Sequence, residues 1–314
     1  MPRRFFWSAF TGALFLFATG AFGQPLSHTL DSQPRDSHTL AHSDGVNPVP
    51  ILPDKYLWFN LEKPIPPLQK SPVRLERRYE PLEIQNLRRN AQEMVNKIKD
   101  FTAIYTQSSR TGKTLEITSR YKIRMVYGRQ TFTDQTTGVE INQLPCPKYN
   151  GLNSGGEWSD LPAMVGNSMK LKIQQVEDVD LDGWGKAKVF RYEASAEDGV
   201  VGFIYCVGTK QRFVTVAARG EVWTDENLHI LRMTRELQVP RSSHLQRVST
   251  SVLYGWLQSP NGEPRLVPTN VVLMGVKTTG DNEPYWAIGK FTGYRVFNAT
   301  VSIGGGSQKV GDQE

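Results

Sequence analysis

Three groups of residues have types and spacings that could do chemistry. Asp178, Asp180 and Asp182 alternate along DVDLDGWG and precede Gly183. Oxygen donors at every second position before a glycine are what a calcium loop requires. An EF-hand loop would also need a carboxylate at its twelfth position, and Val189 stands there. The segment beyond reads as a strand, so an acidic hairpin turn competes with a bound calcium. His229 and His244 are the histidines outside the N-terminal arm. A hydrolase needs such a base oriented toward a nucleophile. Both fall in turns, and the chain has neither Gly-x-Ser-x-Gly nor His-Glu-x-x-His. Gly112-Lys113-Thr114 lacks the first glycine of a phosphate loop, because Gln107 occupies it, and a strand follows rather than a helix. No catalytic residue and no cofactor is assigned, and the chain is expected not to be an enzyme.

Cys146 and Cys206 form the third group, and their reading depends on compartment. Arg3 and Arg4 precede the apolar run FFWSAFTGALFLFA, and Ala21-Phe22-Gly23 puts small residues at both key positions before Gln24. That is the pattern of a secretory signal peptide over residues 1–23. The run is shorter than the ~20 apolar residues that span a bilayer. The chain is therefore expected to be periplasmic or secreted, and not an integral membrane protein after signal cleavage. In an oxidising compartment two cysteines read as one disulfide, with two free thiols as the alternative. Closing that loop would stabilise the fold by roughly 4 kcal/mol in the chain-entropy model. The net charge of +6 falls by two to +4 when Arg3 and Arg4 leave with the signal. No Lys/Arg block is interleaved with aromatics, so nucleic acid is not an expected partner. A monomer is expected.

The elements that would position these groups begin after a long arm. Residues 24–81 hold more than half of the 19 prolines, and SHTL occurs at 27–30 and again at 37–40. Such a segment cannot bury enough apolar surface to fold alone, and 24–80 reads as a Pro-rich flexible arm. YLWFNL at 56–61 is the exception. Its three aromatics are expected to strap onto the folded domain or, failing that, to dock on a partner. From Pro81 the pattern becomes helical: Ile84, Leu87, Ala91, Met94, Val95 and Ile98 share one face. Pro81 suits the first turn, and Glu83, Lys97 and Lys99 complement the helix dipole.

Beyond the helix the chain reads as β. From Leu115 to Tyr127 apolar and polar residues alternate, the mark of a half-buried antiparallel strand. It would be about 43 Å long, so it should curve or carry a bulge. Further strands are expected at 101–108, 188–194, 200–207, 211–223, 229–239, 248–257, 265–276 and 285–303. The irregular stretch 144–169 reads as a tied-down loop or a cap over a sheet face. The expected fold is mainly β: a curved antiparallel up-and-down sheet, an incomplete β-barrel, with one packed amphipathic helix. It would occupy 81–303, ahead of a polar tail at 304–314.

GEVWTDENLHILRMTREL, 220–237, is a hairpin with Trp223 at its corner. Asp225-Glu226-Asn227 suits its turn, with Asn227 in the left-handed region. Leu231, Met233, Leu237 and Val239 share a face on which Arg235 is the odd member. This Gly-x-Val-Trp-x-Asp hairpin and the junction KIKDFTAIYTQ at 97–107 resemble the periplasmic lipoprotein-carrier family, the LolA/LppX-like fold. The C-terminal half, with Tyr254-Gly255 and Leu266-Val267-Pro268, resembles uncharacterised secreted proteins of Acidobacteria with that fold. The resemblance spans roughly 84–303. It implies a half-barrel whose apolar cavity holds acyl chains, and it implies no catalytic residue.

Two readings of function follow. In the first, the chain is a soluble exported binder of an amphiphile, a lipid or lipidated peptide, with Tyr121, Ile123, Met125, Leu231 and Met233 lining a cavity closed by the helix. Those residues would equally serve as ordinary core under a helix. In the second, the chain is a cell-envelope scaffold with a filled core and no small ligand, acting through its arm. A hydrolase built on His229 or His244 is the third and least supported reading.

Overall fold

A pairing between two strands from opposite ends of the domain, its seam, builds the sheet of this protein. The computed structural model describes residues 45–69, 80–98, 100–111, 114–126, 129–141, 157–207, 210–243, 245–259, 262–277 and 284–297. In chain order these form β1 (Val49–Pro50), α1 (Lys55–Trp58), α2 (Leu82–Lys97), β2 (Phe101–Thr111), β3 (Thr114–Val126), β4 (Arg129–Asp134) and β5 (Glu140–Ile141). Then come α3 (Glu157–Asn167), β6 (Lys172–Asp180), β7 (Lys186–Ala194), β8 (Gly202–Val207), β9 (Lys210–Thr215), β10 (Ala218–Thr224) and β11 (Ile230–Leu237). The long strands β12 (Leu245–Ser259), β13 (Gly262–Lys277) and β14 (Tyr285–Val296) complete the set. The signal segment 1–23, the first part of the arm, Cys146, His244 and the tail 304–314 lie outside the described residues.

One twelve-stranded sheet runs in the order β5-β4-β3-β2-β14-β13-β12-β11-β10-β7-β6, with β1 paired to β12. Every neighbouring pair is antiparallel. The seam is β14 against β2, where Phe291 pairs with Tyr105. The sheet is mainly up-and-down and does not close into a barrel, as the alternation along the chain predicts. Val216 and Ala217 interrupt the run expected as one strand at 211–223. Its first half, β9, pairs instead with β8 in a separate two-stranded hairpin. β4, β5 and β6 lie outside the strands expected from the sequence.

Both faces of the sheet are covered. On one face, here called the concave one after the expected curvature, α2 lays Ile84, Leu87, Ala91 and Met94 into a core with Tyr105, Ile123, Phe190, Val222, Val252 and Phe291. A second helix, α3, joins this face, where the sequence predicts a cap or loop and only one packed helix. Gly166 of α3 lies so near α2 that a Cβ there would sit 2.8 Å from the Gln92 nitrogen. On the opposite face, called the convex one in the same sense, Leu52, Tyr56, Leu57 and Leu61 form a smaller core with Val189, Trp223, Leu253, Val272 and Trp286. YLWFNL thus straps onto the domain.

Candidate functional site

The concave face gathers four of the five residues expected to line a ligand cavity. Ile123, Met125 and Met233 are buried in its core, and half-buried Tyr121 packs against them. Leu231 belongs to the convex core instead. A bulge is the reason: Thr224 pairs with Ile230 and Trp223 with Arg232, so Leu231 has no partner and the alternation slips by one. Met233, Arg235 and Leu237 keep the concave side. In the adjoining turn the left-handed position falls on Leu228 (φ 64°), not on the expected Asn227. Leu228 is buried beneath α2, and Asn90 of that helix donates to the carbonyls of Asn227 and Leu228 at 3.1 and 3.2 Å. Burial and these two bonds offset the backbone strain.

The centre of the concave face is occupied by Trp158, fully buried at 0% exposure. Its ring sits 4.8 Å from Phe291, 5.2 Å from Tyr105 and 6.5 Å from Phe132. Its indole nitrogen has no hydrogen-bond partner among the described residues, although buried tryptophans usually find one. α3 is held here by two polar devices. Pro162 lies inside the helix and has no N–H to give to the carbonyl of Trp158. The buried Tyr254 hydroxyl donates to that carbonyl at 3.0 Å, and burial pushes its pKa well up. At the other end Arg88 donates to the carbonyls of Val165, Ser168 and Leu171 at 2.9, 2.7 and 2.8 Å. Its remaining donors reach the Glu80 carboxylate at 2.8 Å. One arginine therefore satisfies the carbonyls in and beyond the last turn of α3, where a cation is also favoured by the helix dipole.

The convex face works differently. Pro64, Pro66 and Pro67 deny the arm a strand's donors, so sheet side chains bind its backbone one group at a time. Arg232 donates to Phe59 O at 2.6 Å, Arg247 to Glu62 O at 2.6 Å and Arg219 to Ile65 O at 3.1 Å. Glu236 accepts from Ile65 N at 3.3 Å and Glu193 from Leu68 N at 2.8 Å. Arg232 is 1% exposed, lies over the Trp223 ring at 4.8 Å and donates to Ser251 Oγ at 3.1 Å. Burial pushes its pKa down to about 10, against a smaller upward pull from Glu221.

The other predicted residues stay apart. Among the described residues Asp178, Asp180 and Asp182 form no group that could hold a metal. Asp182 is paired with Lys55 of α1 at 2.7 Å, which holds its carboxyl below the usual range. His229 Nδ1 meets Asp225 Oδ2 at 2.8 Å and its ring meets Trp256 edge-on at 5.2 Å. No hydroxyl or thiol hydrogen-bonds to it among the described residues. The Cys146–Cys206 pairing lies outside them, only the backbone of Cys206 being described, in β8. A cleft of about 180 Å³ opens at the arm, lined by Asn47, Pro48, Thr269, Asn270 and Lys290. That is smaller than the ~300 Å³ at which ligand pockets begin.

Sequence reasoning missed Trp158, Arg88 and the role of Tyr254. Arg88 carried a legible signal: it lies four residues after Ile84, on the apolar stripe of α2. Trp158 had none, since Pro162 hides the helix around it.

No family model matches the chain, and no curated protein matches it. Among solved structures, a DUF1329 family protein from Desulfovibrio piger is similar over 69% of this chain and 94% of its own. The identity is 10% and the TM-score 0.36. The Pseudomonas aeruginosa MucA/MucB complex is similar over 68% of this chain and 100% of that one, with 10% identity and a TM-score of 0.15. Likenesses this weak carry no argument about activity. Among the described residues no helix is long and apolar enough to cross a membrane.

Proposed function

We propose that this chain is an exported, non-catalytic binder of an amphiphile, a lipid or a lipidated peptide, on the concave face of its sheet. α3 is then a replaceable plug, and the acyl chain takes the place of Trp158. The observation that carries this reading is the setting of that indole. A floor of Tyr105, Phe132 and Phe291 surrounds it and offers its N–H nothing. Such a floor suits hydrocarbon better than it suits tryptophan. The plug is fastened by hydrogen bonds at its two ends, which can break and reform together.

Native mass spectrometry of the mature protein, isolated without detergent, tests the proposal. A retained species of lipid mass, or uptake of added phospholipid or lipopeptide, supports it. A clean apo mass with no uptake overturns it. A second reading, an envelope scaffold, is favoured by one observation: Ile123, Met125 and Met233 are already packed, so the core is full without a ligand. An arm deletion that separates the two must remove 24–44 only, because 51–61 contributes Leu52, Tyr56, Leu57 and Leu61 to the convex core. Loss of a partner with that deletion, and no lipid uptake, selects the scaffold.

A further inference from the structure

We propose that Arg235 receives the acidic head group of the amphiphile, so that the chain selects acyl chains ending in a carboxylate or a phosphate. This rests on the reading above and adds the ligand's chemistry to it. Arg235 is 8% exposed and points to the concave side between Met233 and Leu237, both in the core. Its cross-strand neighbours are Gly220 on β10 and Thr250 on β12. Gly220 has no side chain of its own, and the Tyr192 phenol fills the space its Cβ would take. Beyond Gly220 lies Tyr192, whose hydroxyl is already committed to Thr234 O at 2.7 Å.

The other buried arginines each reach an acceptor. Arg88 has Glu80 and three carbonyls, and Arg232 has Ser251 and Phe59. The half-buried Arg191 also has an acceptor, Glu221 at 3.1 Å. Arg235 alone among them has no hydrogen bond and no ion pair among the described residues, and its Nε is enclosed and unpartnered. The Thr250 hydroxyl opposite is enclosed and, among the described residues, unpartnered too. A buried cation without a counter-charge is costly, and the fold gains nothing visible from it. A guanidinium fork beside a free hydroxyl is the donor set that a carboxylate or phosphate requires.

The position fits an amphiphile rather than a free anion. Met233 is the next concave residue on β11, about 7 Å along the strand. Tyr254 touches it through a 3.8 Å hydroxyl–sulfur contact and also holds Trp158. A head group at Arg235 thus continues directly into the apolar floor under the plug.

The test uses displacement of a bound neutral fluorescent acyl probe by palmitate, hexadecyl phosphate and hexadecanol, three ligands of one chain length. Wild-type protein should bind at least one of the two acids more than tenfold tighter than the alcohol, and the stronger acid identifies the head group. Arg235→Met should erase that ratio, leave hexadecanol unchanged and melt no lower than wild type. Arg235→Lys, which keeps charge without the fork, should fall between. Equal binding of acids and alcohol, or a ratio that survives Arg235→Met, overturns the assignment while leaving the amphiphile reading intact. Binding of none of the three defeats that reading, and this one with it.

Discussion

Tyr254 supplies the hydrogen bond that Pro162 removes from α3. The proline has no N–H, the carbonyl of Trp158 loses its helical donor, and a hydroxyl from β12 takes it at 3.0 Å. Tyr254→Phe should therefore cost about 1–3 kcal/mol, the usual penalty for orphaning a buried polar group. In a Pro162→Ala background the helix can provide its own N–H, and the same substitution should cost markedly less. Equilibrium denaturation of the two single variants and the double variant measures the coupling; strict additivity would sink this account.

Arg88 holds the far end of the same helix. Arg88→Met removes donors to Glu80 and to three carbonyls at once. A loss of about 3 kcal/mol is expected, as for one partner of a buried pair. Tryptophan emission should shift toward that of exposed indole as Trp158 leaves its floor, and uptake of amphiphile should become faster. An unshifted emission spectrum would mean that the plug does not depend on this clamp.

The arm should divide into a dispensable and an indispensable part. Removing 24–44 is expected to leave the melting temperature unchanged. Extending the deletion to 69 uncovers Trp223, Leu231 and Val272, and should produce an aggregating protein. Arg232→Ala, which loses Phe59 O, Ser251 Oγ and the stack on Trp223, should cost about 3 kcal/mol. It should also open 59–69 to limited proteolysis. Equal stability of the two deletions would contradict the strap.

Alkaline pH should unfold the protein through its buried phenols. Burial raises the pKa of Tyr192, Tyr254 and Tyr294 above the ordinary 10.0. A group whose folded pKa is raised contributes stability that is complete below its unfolded value and lost as pH rises. Stability should hold to about pH 10 and fall beyond it. A phenolate difference titration should show three tyrosines ionising only with unfolding. Their smooth titration in the folded protein would contradict the burial.

The architecture was legible where periodicity was strict. β3 and α2 are where alternation and the helical stripe put them, because each buries one face against a large partner. Leu231 was misplaced because a bulge depends on the partner strand, whose register no local pattern carries. Trp158 was invisible because a proline inside its helix and glycines before it read as loop. Arg235 was visible as an odd member of an apolar face, but its lack of a partner among the described residues needed the assembled sheet.

The β14–β2 seam has a consequence for the timing of folding. Tyr105 and Phe291, which meet across it with ring centroids 4.8 Å apart, are among the first and last core residues of the domain to be synthesised. The sheet cannot be completed until almost the whole chain exists, and contacts of such high sequence separation form slowly. Until then β2 presents a bare edge that only the final strand can cover. On the export proposed above, a chain of this topology would still be open while it was threaded through a translocation pore, and would close only on the far side.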